Sequence, residues 1–162
     1  MARELSYPFS LAHALHVAAM LHQIRREGQT AQEWAEEVIA LSTEQGFPYY
    51  LADVTNLRGW ALAEQGQGEA GIAQMRQGQS VYQAIGVELQ RSHFLALLAE
   101  AYGKEGRAEE GLRVLAEALD AVHKRGPYSW EVELYRVKGG LTLQQARERA
   151  TGKNYRSPIP NS

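Results

Sequence analysis

The sequence predicts an all-α protein of about seven helices, arranged as stacked antiparallel pairs. One observation behind this prediction is a set of glycines that recur every twenty residues, at Gly46, Gly66, Gly86, Gly106 and Gly126. The segments between them contain no proline after the first turn. Because glycine readily adopts the left-handed conformation just past a helix end, this interval predicts helices of about 15 to 17 residues, each ended by glycine.

A second observation is a recurrence every forty residues, which corresponds to two helices. Pro8 and Pro48 are forty residues apart, and proline suits the first turn of a helix. Apolar residues then align in columns: Ala14, Val17 and Leu21; Val54, Leu57 and Ala61; Phe94, Leu97 and Ala101; Leu134, Val137 and Leu141. Spacings of three and four residues mark one helix face, so each first helix is expected to present the same apolar stripe to the core.

A third observation concerns small residues in both helices of each pair. Ala19, Gly59, Ala99 and Gly139 form one column, and Ala31, Gly71 and Gly111 form another. We therefore expect Gly59 and Gly71 to face each other where two helices cross closely. The alternative is a phosphate-binding loop, which would need a preceding strand and a Lys-Ser/Thr partner. Neither is present near residues 59–74, so the packing interpretation is favoured.

These patterns divide the chain into a helical repeat domain at residues 6–145 and a basic tail at 146–162 that is predicted to be disordered. The predicted helix pairs span about 8–46, 47–86 and 87–126, and a final helix spans 127–145. In the first repeat Gly28 is the predicted turn glycine, while strict spacing would place the turn at Arg26. The final helix lacks a second helix, so we expect one of its apolar flanks to be open or covered by another molecule.

Composition narrows the classes of function. The chain has 162 residues and a formal net charge of −2, which lacks the basic excess typical of nucleic-acid-binding proteins. It has no cysteine, which excludes disulfides and thiol nucleophiles and fits a cytoplasmic protein. No apolar run approaches the roughly 18 residues that a membrane span needs. We expect a soluble cytoplasmic protein with no nucleic-acid or membrane partner.

The third repeat, "LLAEAYGKEGRAEEGLRVLAEAL", resembles the tetratricopeptide repeat. The residues that carry the resemblance are Leu95, Leu98, Ala99, Tyr102, Gly106, Gly111, Leu115 and Ala118. The second repeat departs from the motif at Arg58 and Gly78, and the forty-residue period is longer than the family's thirty-four. The resemblance implies a right-handed superhelical stack, an α-solenoid, whose first helices line a concave groove.

A narrower resemblance extends over about residues 6 to 143. The segments "LRGWALAEQGQGEAGIAQMRQG" and "ELYRVKGG" look like the C-terminal repeat region of bacterial signalling proteins that carry a predicted ATPase or an adenylate/guanylate cyclase-type domain. That resemblance implies a role in protein contact or intramolecular control, possible partners being other domains of a larger parent protein. No residue here matches an ATPase or cyclase motif.

Candidate binding residues are those that the repeat would direct into the concave groove. They are His13, His16, Met20, Asp53, Asn56, Trp60, Glu64, His93, Glu100, Lys104, Glu133 and Arg136. Tryptophan is enriched at binding hot spots, so Trp60 could line this groove, although a place in the core is the alternative. His13 and His16 have a spacing that could chelate a metal, yet solvated or groove-facing histidines are the favoured interpretation.

The function predicted from these features is a protein-interaction scaffold that binds a peptide or a partner domain in the groove. The alternative is self-association, in which the unpaired last helix packs against a second copy around Leu134, Val137 and Leu141. We expect neither an enzyme nor a bound cofactor or metal, because no local motif ties a nucleophile to a base and an acid.

Overall fold

The computed structural model describes residues 2–87, 90–125 and 131–154. These ranges contain seven α-helices and no strand, so the all-α prediction is confirmed for the part described. The helices are α1 (Ala2–Ile24), α2 (Gly28–Gln45), α3 (Pro48–Glu64), α4 (Gly68–Ile85), α5 (Arg91–Lys104), α6 (Ala108–Arg125) and α7 (Glu131–Asn154). Within these ranges, no helix combines the length and the apolar character that a membrane crossing requires.

Left-handed residues follow the helix ends, as the glycine spacing predicts. The glycines with positive φ are Gly46 (71°), Gly66 (84°), Gly86 (68°) and Gly106 (71°). Gly126 lies outside the described residues. The first turn differs from the prediction, because Arg26 takes the left-handed conformation with φ of 61° and Gly28 is already the first residue of α2. Left-handed residues therefore recur at the strict forty-residue spacing, at 26, 66 and 106, although position 26 is arginine and not glycine.

Two kinds of helix contact organise the fold. Each helix packs against the next one along the chain, and the first helices α1, α3, α5 and α7 also contact one another in order. Within the described ranges, the second helices α2, α4 and α6 do not contact each other. This alternation is compatible with a helical repeat, in which one helix type forms an inner layer and the other an outer layer.

The predicted close crossing within a pair is confirmed in α3 and α4. A Cβ added to Gly59 would lie 2.7 Å from the carbonyl oxygen of Gly71 and 2.8 Å from the backbone nitrogen of Met75. The next pair repeats this arrangement, since a Cβ on Gly111 would lie 2.9 Å from the carbonyl oxygen of Ala99. Small residues therefore allow the two backbones to approach closely.

The prediction that every first helix buries the same stripe is wrong for α1. Ala14 is exposed, and Val17 and Leu21 are 50% and 52% exposed. This helix instead buries a face shifted by two residues along the chain, at His16, Ala19 and Gln23 (with Ala12 one turn earlier). The reason is positional: α1 packs against α2 and α3 on one side, and no helix of the described chain lies on the other.

The first and last helices are both longer than predicted. α1 begins at Ala2, so Pro8 lies inside the helix and not in its first turn. α7 begins at Glu131 and continues to Asn154, so residues 146–154 of the predicted disordered tail are helical. The physical reason lies at position 146, where strict spacing would place a left-handed residue but the sequence has Ala146, a strong helix former. Trp130 and residues 155–162 lie outside the described residues.

Candidate functional site

The structure divides the twelve predicted groove residues by burial. His16, Asp53, Asn56, Trp60 and His93 are buried; Met20, Glu64, Glu100 and Glu133 are half-buried; His13, Lys104 and Arg136 are exposed. Trp60, which is only 1% exposed, belongs to the core, in agreement with the alternative that the sequence left open. A ligand could reach the five buried side chains only if the helices moved apart.

A buried polar pair joins α1 to α3. His16 Nε2 lies 2.7 Å from an Asp53 carboxylate oxygen, and both side chains are almost fully inaccessible to solvent. Burial raises the pKa of Asp53, although the neighbouring His16 opposes this shift. His13, one turn before His16, contacts the hydroxyl of Tyr50 at 3.1 Å. Within the described ranges, no group of three His, Asp or Glu side chains could hold a metal ion.

Two more buried polar groups have partners within the fold. His93 Nε2 lies 3.1 Å from Gln23 Oε1, and because an amide oxygen accepts, this ring nitrogen carries the proton. Burial lowers the pKa of His93 to about 4, so the imidazole is neutral at pH 7. Asn56 donates to the carbonyl oxygen of Ala52 at 2.9 Å and accepts from Gln79 at 3.2 Å. These contacts give both residues structural roles.

The remaining charged candidates meet in one ion-pair network, here called the charged network. It consists of Arg26, Glu64, Glu100, Lys104, Glu133 and Arg136. Arg26 lies 2.9 Å from Glu100 and 3.5 Å from Glu64, and Arg136 lies 2.6 Å from Glu133. Lys104 also contacts Glu64, and Arg136 contacts Glu100. The network links α3, α5 and α7 to the turn after α1.

The charged network borders an open cleft of about 360 Å³ between α5 and α7. Burial disfavours the Glu100 carboxylate, but hydrogen bonds and charges from Arg26 and Arg136 outweigh this effect and lower its pKa. The network contains three cations and three carboxylates, each with an opposite charge beside it. It therefore has no surplus charge with which to select an ionic ligand, and it acts to fasten the first helices together.

Sequence reasoning did not include two residues that complete these clusters, Arg26 and Gln23. The one feature of the sequence that points to Arg26 is its position, because later repeats have a turn glycine there. Gln23 reaches His93 across seventy residues of sequence, a separation that local spacing cannot reveal.

An apolar surface lies open on α1. We define the α1 face as Leu11, Ala14, Val17, Leu21 and Ile24, all of which are exposed. The columns of Ala14, Val17 and Leu21 are buried apolar positions in all later repeats, and the second helix of the preceding pair packs there. Phe94 packs on Tyr82 of α4 with ring centroids 6.0 Å apart. Leu141 packs closely on α6, since a Cβ added to Gly111 would lie 2.7 Å from the Leu141 side chain.

A second open apolar surface lies on α7. We define the α7 face as Val132, Tyr135, Gly139, Leu143 and Ala146, and a shallow depression of about 430 Å³ follows most of it. The sequence-based hypothesis placed the self-association surface around Leu134, Val137 and Leu141. That placement is wrong, because these three residues are buried within the chain. The open side of α7 is the one on which a second helix of its own pair would pack.

Comparisons with known proteins leave the family open. No protein-family model, no curated protein and no solved structure matches the chain. The tetratricopeptide resemblance therefore stays a prediction.

Proposed function

We propose that this protein is a tetratricopeptide-like α-solenoid, a right-handed superhelical stack, that acts as a protein-interaction module. Left-handed residues forty apart at 26, 66 and 106 and the contacts among first helices support this architecture. The partner would dock as an amphipathic helix on the α1 face. The lack of cysteine fits the cytoplasm as its compartment.

One observation carries the proposal: the α1 face is apolar and exposed, and its central residues Ala14, Val17 and Leu21 are in register with positions that are buried in all later repeats. Val17 is 50% exposed, whereas Val137, its equivalent in α7, is 4% exposed. Leu21 and Leu141 form an equally well matched pair. A run of exposed apolar residues along several helical turns is typical of a protein-binding surface.

The chemistry of the occupant follows from what covers the matching columns. In each later repeat the covering element is a second helix, α2 over α3, α4 over α5 and α6 over α7. Small residues of these helices lie at the contact, such as Gly28 beside Ala61 and Gly111 beside Leu141. The partner helix would accordingly carry small residues beside an apolar stripe. The resemblance to bacterial signalling proteins makes another domain of such a protein one possible source of that helix.

The concave groove is less favourable as the binding surface. Its central columns are filled by buried side chains with partners inside the chain, and the charged network spans part of its length. Binding there would require breaking these contacts, whereas the α1 face needs no rearrangement.

The test uses a helix that the protein already recognises. The α6 sequence, residues 108–125, packs on α7 and contacts Leu141, which has the same residue type and column as Leu21. A synthetic peptide of this sequence, stapled on its polar side because isolated helices of this length are marginal, would be labelled and titrated with the protein by fluorescence anisotropy.

We expect saturable binding that Val17→Glu weakens at least about tenfold, because a carboxylate would be desolvated in the contact. The matched control, Leu143→Glu, changes a similarly exposed apolar residue on α7 and should leave binding unchanged; weaker binding by this variant would place the peptide on the α7 face and contradict the proposal. Circular dichroism would verify that both variants fold. Equal binding by the Val17→Glu variant, or no saturable binding by the wild type, would refute the proposal.

A further inference from the structure

The exposed side of α7 is symmetric about Gly139. Val132 and Tyr135 lie seven and four residues before it, and Leu143 and Ala146 lie four and seven residues after it. Positions four and seven apart share one helix side, so the α7 face has the same apolar spacing in both directions. We propose that two copies of this protein pair through their α7 faces, with the two helices antiparallel and crossing at Gly139.

The centre of this surface is shaped for a close helix crossing. A Cβ added to Gly139 would meet nothing within 4 Å, so no contact within the described chain accounts for a glycine there. In the same column, Gly59 lies against Gly71 and Ala99 lies against Gly111. Each of those crossings has a small residue on both helices. A second copy supplies the same combination at position 139, because its own Gly139 meets the first.

Symmetry favours a second copy over an unrelated helix. A two-fold interface brings one patch against an identical patch, which requires the patch to be complementary to itself. In an antiparallel crossing at Gly139, Tyr135 of one copy approaches Leu143 of the other on both sides of the notch. Both side chains are about half exposed in the single chain and would be covered by the pairing.

Charge along α7 favours the antiparallel direction. The first turn carries Glu131, while Glu133 is already paired with Arg136, and the turns after the α7 face carry Arg147 and Arg149 with one Glu148 between them. Antiparallel pairing places the acidic end of each helix beside the basic end of the other, whereas parallel pairing would place like charges together. Such complementarity contributes to orientation and specificity more than to affinity.

The length of α7 leaves room for the contact. The other first helices end at Ile24, Glu64 and Lys104, but α7 continues ten residues past the equivalent position, 144. Ala146, which replaces the left-handed residue found at 26, 66 and 106, is itself part of the α7 face. The residue that keeps the helix intact thus also extends the surface.

Sedimentation equilibrium of the full chain tests whether the pairing occurs, over about 1 to 100 µM. We expect a concentration-dependent dimer in the wild type and at least a tenfold higher Kd, on the order of a hot-spot loss, in Leu143→Glu. Val17→Glu is the matched control on α1 and should dimerise like the wild type, which separates this inference from the α1 docking proposal. A monomer at all concentrations, or an unchanged dimer in Leu143→Glu, would overturn it.

Cysteine crosslinking tests the geometry, and the chain offers a clean background because it has no cysteine. Gly139→Cys should form a disulfide-linked dimer about tenfold faster than Gly140→Cys, since only position 139 brings two Cα atoms within disulfide range. Both positions are equally open in the single chain. A mixture of Tyr135→Cys and Leu143→Cys should crosslink with each other. Faster self-crosslinking of Tyr135→Cys would indicate a parallel pair and contradict the proposal, as would equal rates at 139 and 140.

Discussion

Helices α3 and α7 carry glycine in the same repeat column but in opposite surroundings. Gly59 of α3 lies against Gly71 and Met75 of α4, and even one added carbon would collide with their backbones. Gly139 of α7 has open space around it. A small residue in this repeat column therefore indicates that a helix can approach closely at that position. Whether a helix of the same chain does so is seen only from the packing.

Helix α1 extends the same lesson to the other end of the stack. Its Leu21 matches Leu141 of α7 in both residue type and column, yet the first is 52% exposed and the second 5%. The middle of the stack uses its columns internally, and the two ends present theirs outward. Matched substitutions in one column can therefore test the comparison directly.

The largest difference is expected between two identical glycine substitutions. Gly59→Ala should lower the free energy of unfolding by about 3 kcal/mol, because the added Cβ would force the α3 and α4 backbones apart. Gly139→Ala should raise it by up to about 1 kcal/mol, because alanine is the better helix former and has space. Urea denaturation of dilute protein, below the concentration at which copies pair, measures both. Effects of the same sign would break the comparison.

The next difference concerns the two leucines of one column. Leu141→Ala should destabilise by about 3 kcal/mol, since it leaves a cavity beside Gly103 and Gly111. Leu21→Ala should change stability by less than about 0.5 kcal/mol, because half of that side chain is already in solvent. Thermal and urea unfolding would be compared for the pair. A large loss in Leu21→Ala would mean that the α1 face is covered within the chain.

A smaller effect is expected from pH through His93. Its pKa falls from 6.5 to about 4 on folding, so between these values the unfolded chain binds the additional proton. The free energy of unfolding should therefore decrease as pH falls through this window, by about 2 kcal/mol at pH 5 relative to pH 7. His93→Gln keeps a polar group near Gln23 but cannot titrate, so its loss between pH 7 and 5 should be smaller by that amount. An identical pH dependence in the two proteins would argue against a buried neutral His93.

The smallest net effect is expected at Arg26, where two contributions oppose each other. Arg26→Gly relieves a left-handed residue, worth about 1 kcal/mol, but removes the ion pairs to Glu64 and Glu100, worth up to about 1 kcal/mol at this half-exposed site. Arg26→Ala removes the same ion pairs and keeps the backbone strain. Chemical denaturation should find Arg26→Gly near the wild type and Arg26→Ala below it. Equal stabilities of the two variants would mean that position 26 has no left-handed strain.

Local demands on the backbone made much of the fold predictable. Left-handed helix ends favour glycine and close crossings require small residues, so spacing alone located Gly46, Gly66 and the contact of Gly59 with Gly71. The same spacing also predicts a left-handed residue at position 26, but arginine rarely adopts that conformation, so residue type favours a turn at Gly28 instead. The composition of the last residues predicts too early an end for α7, because it is typical of disorder, whereas Ala146 provides no stop to the helix.

The candidate site was less predictable because burial depends on partners that are distant in sequence. A polar residue in a column suggests solvent unless its partner is known, and Asp53 is buried because His16, thirty-seven residues earlier, lies beside it. His93 likewise needs Gln23. The period also contains no information on what lies beyond the first and last helices, so the exposure of the α1 face could not be read from it.

The uninterrupted course of α7 has a mechanical consequence. Its 24 residues form a rod of about 36 Å, of which the last ten residues extend about 15 Å beyond the level where the other first helices end. Leu134, Val137 and Leu141 hold the first part of this helix in the core, and the last ten residues project from it. A rotation of a few degrees at these buried residues moves the far end by an ångström or more, so a small strain in the core becomes a measurable displacement at the tip.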